Sequence, residues 1–402
     1  MRVVLNYLPA TGARTGVGHY TAELLRCLRT QATDEDQIEP FPGSWGQRAH
    51  SLWLRCRRDG QMASANAQTS STPSTRLNLR QKLIHAVRNG GRSVRGLLFR
   101  YLCRSRKYDL YHEPNFIPLR SECPTVVTIH DLSVLLYPEW HPAERVVHFE
   151  RHFLRGLKQC VHLFTVSDFV RREVIQLLNI RPERVTRTYN GIRPGLVPLP
   201  PEEVAAALRE LDLPQRYLLY VGTIEPRKNV KRLLQAYCAL PASVRERWPL
   251  LLVGKWGWNT ADVAEYLHNE ARHRGVIHRN YIDDRYLPAL YNGARALVYP
   301  SLYEGFGLPP VEMMACGGAV LASTAGAVAE TAGATAPLID PLDVAGWRDA
   351  LVRVVEDDDW WLSLRRHAVA ASRPFTWERC AADTLRVYRQ LCGEGNRLNK
   401  AA

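Results

Sequence analysis

The stretch YPSLYEGFGLPPVEMMACGG, Tyr299 to Gly318, decides how the second half of this chain folds and where its chemistry sits. The ARALVYP run leading into it is a short apolar segment of strand type, Gly-Phe-Gly is a tight turn, and Pro-Pro suits the first turn of a helix. The unit is therefore strand, glycine turn, helix. In an open parallel sheet, ligands bind beyond the carboxyl ends of the strands, which is where the first acid, Glu304, falls. The second, Glu312, follows eight residues later on the helix, and both are expected to point into one cleft. A helix start presents unpaired backbone N–H groups and the positive end of its dipole, here from Phe306, Gly307 and Leu308, to an anion such as a diphosphate. Carboxylates do not stabilise phosphate, but they accept strong charge-assisted hydrogen bonds from vicinal sugar hydroxyls. A nucleotide-sugar carries such hydroxyls on both its ribose and its hexose. Either acid alone reads equally well as a turn cap or a solvated first-turn residue; the whole string favours binding.

The rest of the chain is read as α/β, with two doubly wound Rossmann-like domains. In the first, residues 1–192, RVVLNYL is a strand, Gly12 to Gly18 a glycine-rich loop and His19 to Arg29 a helix, while PTVVTIHDL and CVHLFTVSDF are further parallel strands. The halves meet near Tyr189-Asn190-Gly191, ahead of the proline-rich linker Pro194 to Pro201. In residues 193–376, RYLLYVG, PLLLVG, VIHRNYI, RALVYP, AVLAST and APLID alternate with helical segments. Helices from Val344 to Ser372 and Trp377 to Leu391 close the chain, the segment 377–402 being set apart as a terminal helix.

With 402 residues and 46% hydrophobic content, the chain can bury two ordinary cores. Nine cysteines without a C-x-x-C pair give neither a disulfide framework nor a zinc site, and read as reduced thiols of a cytoplasmic protein. No run approaches a membrane-spanning length and Met1 to Leu8 is already strand-like, so neither a span nor a cleavable signal is expected. The net charge of +13 is concentrated: residues 45–107 hold 14 Lys and Arg against the single acid Asp59. Within that stretch GQMASANAQTSSTPSTR is of low complexity. From Arg76 to Tyr101, apolar residues at helical spacing are flanked by arginines. Such a basic amphipathic segment fits either an anionic membrane surface, peripherally, or an ordinary core helix with a solvated basic face. No nucleic-acid-binding signature accompanies the charge, so nucleic acid is not expected as a partner.

The Glu304 to Glu312 string resembles the E-x7-E motif of the retaining GT-B glycosyltransferases of the GT4 type, the glycosyl transferases group 1 family. The resemblance runs over nearly the whole chain, in family order: TGVGHYTAELL, TVVTIHDL, FTVSDFVRREVIQ, YNGI, YLLYVGTIEPRKNVKRLLQAY and NYIDDRYLPALYNGARALVYPS. It implies a GT-B fold, two domains facing a central cleft, with the final helix crossing back to the first. It also implies roles. His130 would contact the donor hexose near its reacting carbon, with Asp131 beside it on the acceptor side, where Ser167 is also placed. Arg227 and Lys228 would meet the diphosphate after Gly222. The family's arginine directly after that glycine is here Thr223, a departure for which Arg227 is the candidate substitute. Gly16 and Gly18 would let the backbone approach the sugar-bearing phosphate. Glu304 and the Gly305 to Leu308 backbone would hold hexose and phosphate, Glu312 the ribose, and the backbone at Tyr281 and Ile282 the base.

Breaking the C1–O bond to a nucleotide diphosphate builds charge on the departing oxygen, which these cations would stabilise. No metal site or other cofactor is expected. The implied activity is retaining transfer of a hexose, mannose from GDP-mannose by the similarity of its strings to bacterial mannosyltransferases, to a growing lipid-linked surface glycan. UDP- or dTDP-sugars are the alternative donors. A phosphorylase of this fold would need a pyridoxal phosphate lysine signature, which is not found. A non-catalytic glycan-binding or scaffold protein is the alternative of another class, against which intact His130, Lys228, Glu304 and Glu312 stand.

Overall fold

The computed structural model describes residues 1–11, 16–43 and 96–400. Residues 12–15 of the glycine loop, and the basic stretch as far as residue 95, lie outside the described residues. Backbone contacts group the chain into two compact units, one of Met1–Ile129, Arg151–Phe164 and Ala381–Ala402, the other of His130–Glu150 and Thr165–Cys380.

Two parallel six-stranded sheets carry the architecture. The first contains β1 (Arg2–Asn6), β2 (Gln37–Phe41), β3 (Leu110–Glu113), β4 (Thr125–Ile129), β5 (Cys160–Thr165) and β6 (Val185–Arg187), in the order β2-β1-β3-β4-β5-β6. Three of these, β2, β3 and β6, have no apolar run to announce them. β2 reads QIEPF, an edge strand that tolerates a proline. β3 reads LYHE and is wholly buried, because its polar side chains are satisfied inside. The His112 ring bonds the Tyr388 hydroxyl at 2.5 Å and Thr128 Oγ1 at 2.8 Å, while Glu113 accepts from Asn6 Nδ2 and the Tyr111 hydroxyl, both at 2.7 Å. Tyr388 belongs to the closing helix Trp377–Lys400, whose span from Ala381 groups with the first unit. The helix after β1 begins at Gly16, not at His19, so Gly16 and Gly18 occupy its first turn instead of the loop expected for them.

The second sheet lies entirely in the second unit. It is built from β7 (Leu218–Val221), β8 (Leu250–Val253), β9 (Val276–Arg279), β10 (Ala296–Tyr299), β11 (Ala319–Ser323) and β12 (Leu338–Ile339), in the order β12-β11-β10-β7-β8-β9. β7, β8, β10 and β11 are buried almost throughout and read as continuous apolar runs, whereas the edge strands β9 and β12 are only partly buried and were legible from their place in the alternation of strands and helices. Successive side chains alternate between two cores. Leu218, Tyr220, Leu250, Leu252, Val298 and Leu321 fill one, and Leu219, Leu251, Val253, Leu297, Tyr299 and Val320 fill the other. The first strand of this sheet, β7, lies beside the fourth, β10, so the winding direction reverses between them. In open parallel sheets a reversal of this kind is where ligands bind, at the carboxyl ends of the strands that flank it, here β7 and β10.

Candidate functional site

The loops that follow β7 and β10 meet at this switch point. Asn229, left-handed at φ 57°, ties them: its side-chain amide donates to the carbonyls of Pro300 at 3.0 Å and Pro341 at 2.7 Å. The Leu302 amide donates to the Arg227 carbonyl at 2.7 Å. This lacing brings Glu304 onto both expected cations. Glu304 Oε2 lies 2.7 Å from Arg227 Nη1, and Oε1 lies 2.5 Å from Lys228 Nζ. The Tyr299 hydroxyl completes the group, donating to Glu304 Oε1 at 3.0 Å and accepting from Lys228 Nζ at 2.8 Å. Arg227 Nε in turn pairs with Glu225 Oε1 at 2.7 Å.

All of these groups are buried or nearly so, and the electrostatics follow. Burial pushes the Glu304 carboxyl up, but the charges of Arg227 and Lys228 outweigh it and hold the group at about 2. Burial holds the Lys228 amine below its usual range against the pull of Glu304, with the Arg227 charge adding to the depression. For Arg227 the balance reverses: burial works against its charge, yet Glu304 and Glu225 raise it well above the ordinary value. Two cations face two carboxylates, so the cluster offers a ligand aimed N–H donors more than net charge. Lys228 and Arg227 carry three and five donors respectively, more than these carboxylates occupy.

The Glu304 loop packs directly on the segment that follows β4. A Cβ at Gly305 would lie 1.8 Å from the His130 carbonyl oxygen, so only glycine permits this approach. His130 and Asp131 are thereby brought to the Glu304 loop. Asp131 Oδ1 accepts from the Ser133 amide at 2.9 Å and its hydroxyl at 2.7 Å. Ser167 also arrives here: its hydroxyl donates to the Gly305 carbonyl at 2.7 Å and accepts from the Val170 amide, capping the helix Asp168–Leu177. The Tyr303 hydroxyl receives the Leu132 amide at 3.1 Å and donates to Glu173 at 2.5 Å.

Gly307, at φ 87°, turns the chain into the helix Leu308–Ala315, with prolines in its first turn. Phe306 points inward against Val166, Val311 and Phe375, leaving its backbone to line the loop. Glu312 has partners separate from those of Glu304: the Tyr291 hydroxyl at 2.7 Å and Arg193 Nε at 3.1 Å. Gly222 ends β7 at φ 154°, and Thr223 behind it is exposed. Tyr281 is exposed beneath Lys255, whose Nζ lies 5.2 Å from its ring, whereas the Ile282 side chain is in the core. Gly16 and Gly18 belong to the first unit.

Glu225, Tyr299, Tyr291 and Arg193 did not stand out in the sequence. Glu225 and Tyr299 lie within the quoted motifs, so a search for partners of a buried carboxylate could have reached them. Tyr291 reads as an ordinary core aromatic, and Arg193 meets Glu312 only through tertiary folding, so no local pattern marks either.

A sequence profile of Glycosyl transferases group 1 matches residues 207–373, and one of Glycosyltransferase Family 4 matches residues 44–196. The O-antigen chain mannosyltransferase B of Escherichia coli is 33% identical over 393 residues, covering 97% of this chain and all of that protein. The serotype-specific mannosyltransferase WbdA of Escherichia coli is 31% identical over 275 residues, 66% of this chain but only 33% of the relative's length. Among solved structures, sucrose-phosphate synthase from Thermosynechococcus elongatus superposes with a TM-score of 0.70 at 20% identity, over 98% of this chain and 99% of that one. With both profiles matched in order and a full-length relative at one-third identity, the chain belongs to the GT4-type glycosyl transferases group 1 family, and it is a glycosyltransferase of GT-B architecture.

Proposed function

We propose that the protein transfers mannose, with retention at C1, from GDP-mannose to a growing lipid-linked surface polysaccharide. The observation that carries this is the clamp of Arg227 and Lys228 on Glu304 at the switch point of the second sheet. The unused N–H donors of the two cations, with the start of the Leu308–Ala315 helix, receive the diphosphate. Glu304 accepts hydroxyls of the hexose, Glu312 those of the ribose, and the backbone at Tyr281 and Ile282 meets the base. His130 and Asp131, held against Gly305, face the reacting carbon and the acceptor. As the C1–O bond breaks, its electron pair goes to the phosphate oxygen. The acceptor hydroxyl forms the new bond on the same face and passes its proton to that oxygen. Arg227 and Lys228 stabilise the charge that develops there, the part a bridging metal plays elsewhere. The choice of mannose follows the full-length relative, an O-antigen chain mannosyltransferase.

A thermal-shift panel of GDP, UDP, dTDP and ADP tests the donor. GDP at 100 times its dissociation constant is expected to stabilise by about 2.7 kcal/mol, undiminished by chelator. A larger response to UDP or dTDP reassigns the base, and no response to any nucleotide leaves a non-catalytic scaffold.

The acceptor reading places the protein peripherally on the cytoplasmic face of a membrane. Among the described residues no helix is long and apolar enough to cross one. The helix spanning 96–106 leaves Leu97, Leu98 and Tyr101 at 65%, 54% and 69% exposure beside Arg100 and Arg104, an arrangement suited to an anionic interface. Flotation with anionic vesicles is expected to carry the protein up, and equal recovery with neutral vesicles would remove the electrostatic part of this account.

A further inference from the structure

Arg193 reaches the site from the segment just after Tyr189-Asn190-Gly191, far upstream of the glutamates. Its Nε stands 3.1 Å from Glu312 Oε1, and its Nη1 stands 3.6 Å from Asp284 Oδ1. The Glu312 side chain is only 1% exposed, that of Arg193 30%. On its second oxygen the carboxylate is fixed by the Tyr291 hydroxyl at 2.7 Å. The contact at Oε1 is electrostatic without being a hydrogen bond: Arg193 Nε and Glu312 Oε1 are both buried, and neither makes one. Burial works against the Arg193 charge, but Glu312, with Tyr291 and Asp284, outweighs it and holds the guanidinium above its ordinary range. Oε1 is thus an acceptor held in place from two sides with its hydrogen-bonding capacity unmet. A buried oxygen of that kind calls for a donor, and a sugar hydroxyl is one that a carboxylate binds strongly.

We propose that Arg193 is a positioning residue for the donor: it fixes the Glu312 carboxylate so that Oε1 accepts a ribose hydroxyl, and so lets the enzyme distinguish ribonucleotides from deoxyribonucleotides. The proposal rests on the reading of Glu312 as the ribose-facing acid. Calorimetric titration of the full chain with GDP and UDP against their 2′-deoxy counterparts tests both together. The wild-type protein prefers the ribo form by roughly 10- to 100-fold, the worth of one hydrogen bond to a charged group. Arg193→Lys keeps the charge but not the planar fork, and Arg193→Gln removes the charge. Both are expected to shrink the preference to roughly threefold or less, through weaker ribonucleotide binding with deoxyribonucleotide affinity unmoved. Glu312→Gln is expected to do the same.

No preference in the wild-type protein overturns the ribose reading of Glu312, and this proposal with it. A strong wild-type preference that survives in both Arg193 variants, with the two affinities lowered in parallel, overturns the role of Arg193 alone and makes it a structural counter-ion. If Arg193→Gln does not fold, the charge-conserving lysine variant decides the matter.

Discussion

Lys228→Ala is expected to lower turnover by roughly 10²- to 10³-fold, the usual loss when one preorganised group at a developing oxyanion is removed. The asymmetry of the cluster makes this a loss of chemistry more than of fold. Without Lys228, Glu304 still has Arg227 Nη1 at 2.7 Å and the Tyr299 hydroxyl at 3.0 Å, so no carboxylate is stranded. The lost contacts are those of Nζ with Glu304 at 2.5 Å and Tyr299 at 2.8 Å. The measurement is turnover at saturating donor beside the denaturant midpoint of the same preparation. A variant that turned over normally, or that lost its fold before its rate, would move Lys228 from the diphosphate to the scaffold.

Glu304→Ala should behave in the opposite way and reduce stability by about 3–5 kcal/mol, because removing one partner of a buried ionic cluster leaves the others uncompensated. Here two cations lose the same partner. Arg227 keeps Glu225 at 2.7 Å, but Lys228 is left with the Tyr299 hydroxyl and no countercharge. The same group gives an acid signature. Its folded-state value of about 2 lies below the ordinary 4.5, so its contribution is fully present above pH 4.5 and is lost as pH falls towards 2. The shift corresponds to about 3 kcal/mol. Denaturant unfolding followed by tryptophan fluorescence should therefore show a steep decline across that window in the wild-type protein and a flatter one in the variant. Parallel declines in both would place the acid sensitivity in other carboxylates.

The strand, turn and helix that carry the candidate site could be read in sequence because they combine steep local signals. Val298 and Leu297 are buried on opposite faces of β10, which forces an unbroken apolar run, and the glycines and prolines after it permit few backbone paths. What escaped were features set by distant partners. β3 is buried although it ends in His-Glu, because Thr128, Tyr388 and Asn6 satisfy those side chains, and none of the three is near it in sequence. The early start of the helix at Gly16 escaped for a different reason, since glycine is among the poorest helix formers and so argues against a helix in sequence. The salt-bridge order at Glu304 also lay beyond reach. Arg227 and Lys228 were expected at a diphosphate, and the fold shows them engaged with a carboxylate that the family resemblance had assigned to the sugar.

The bond between His112 and Tyr388 joins residues 276 positions apart, inside a unit that also contains the first strand. Its consequence lies in biosynthesis. The buried histidine leaves the ribosome 276 residues ahead of the tyrosine it meets, so its surroundings stay unfinished until that much more polypeptide has been added.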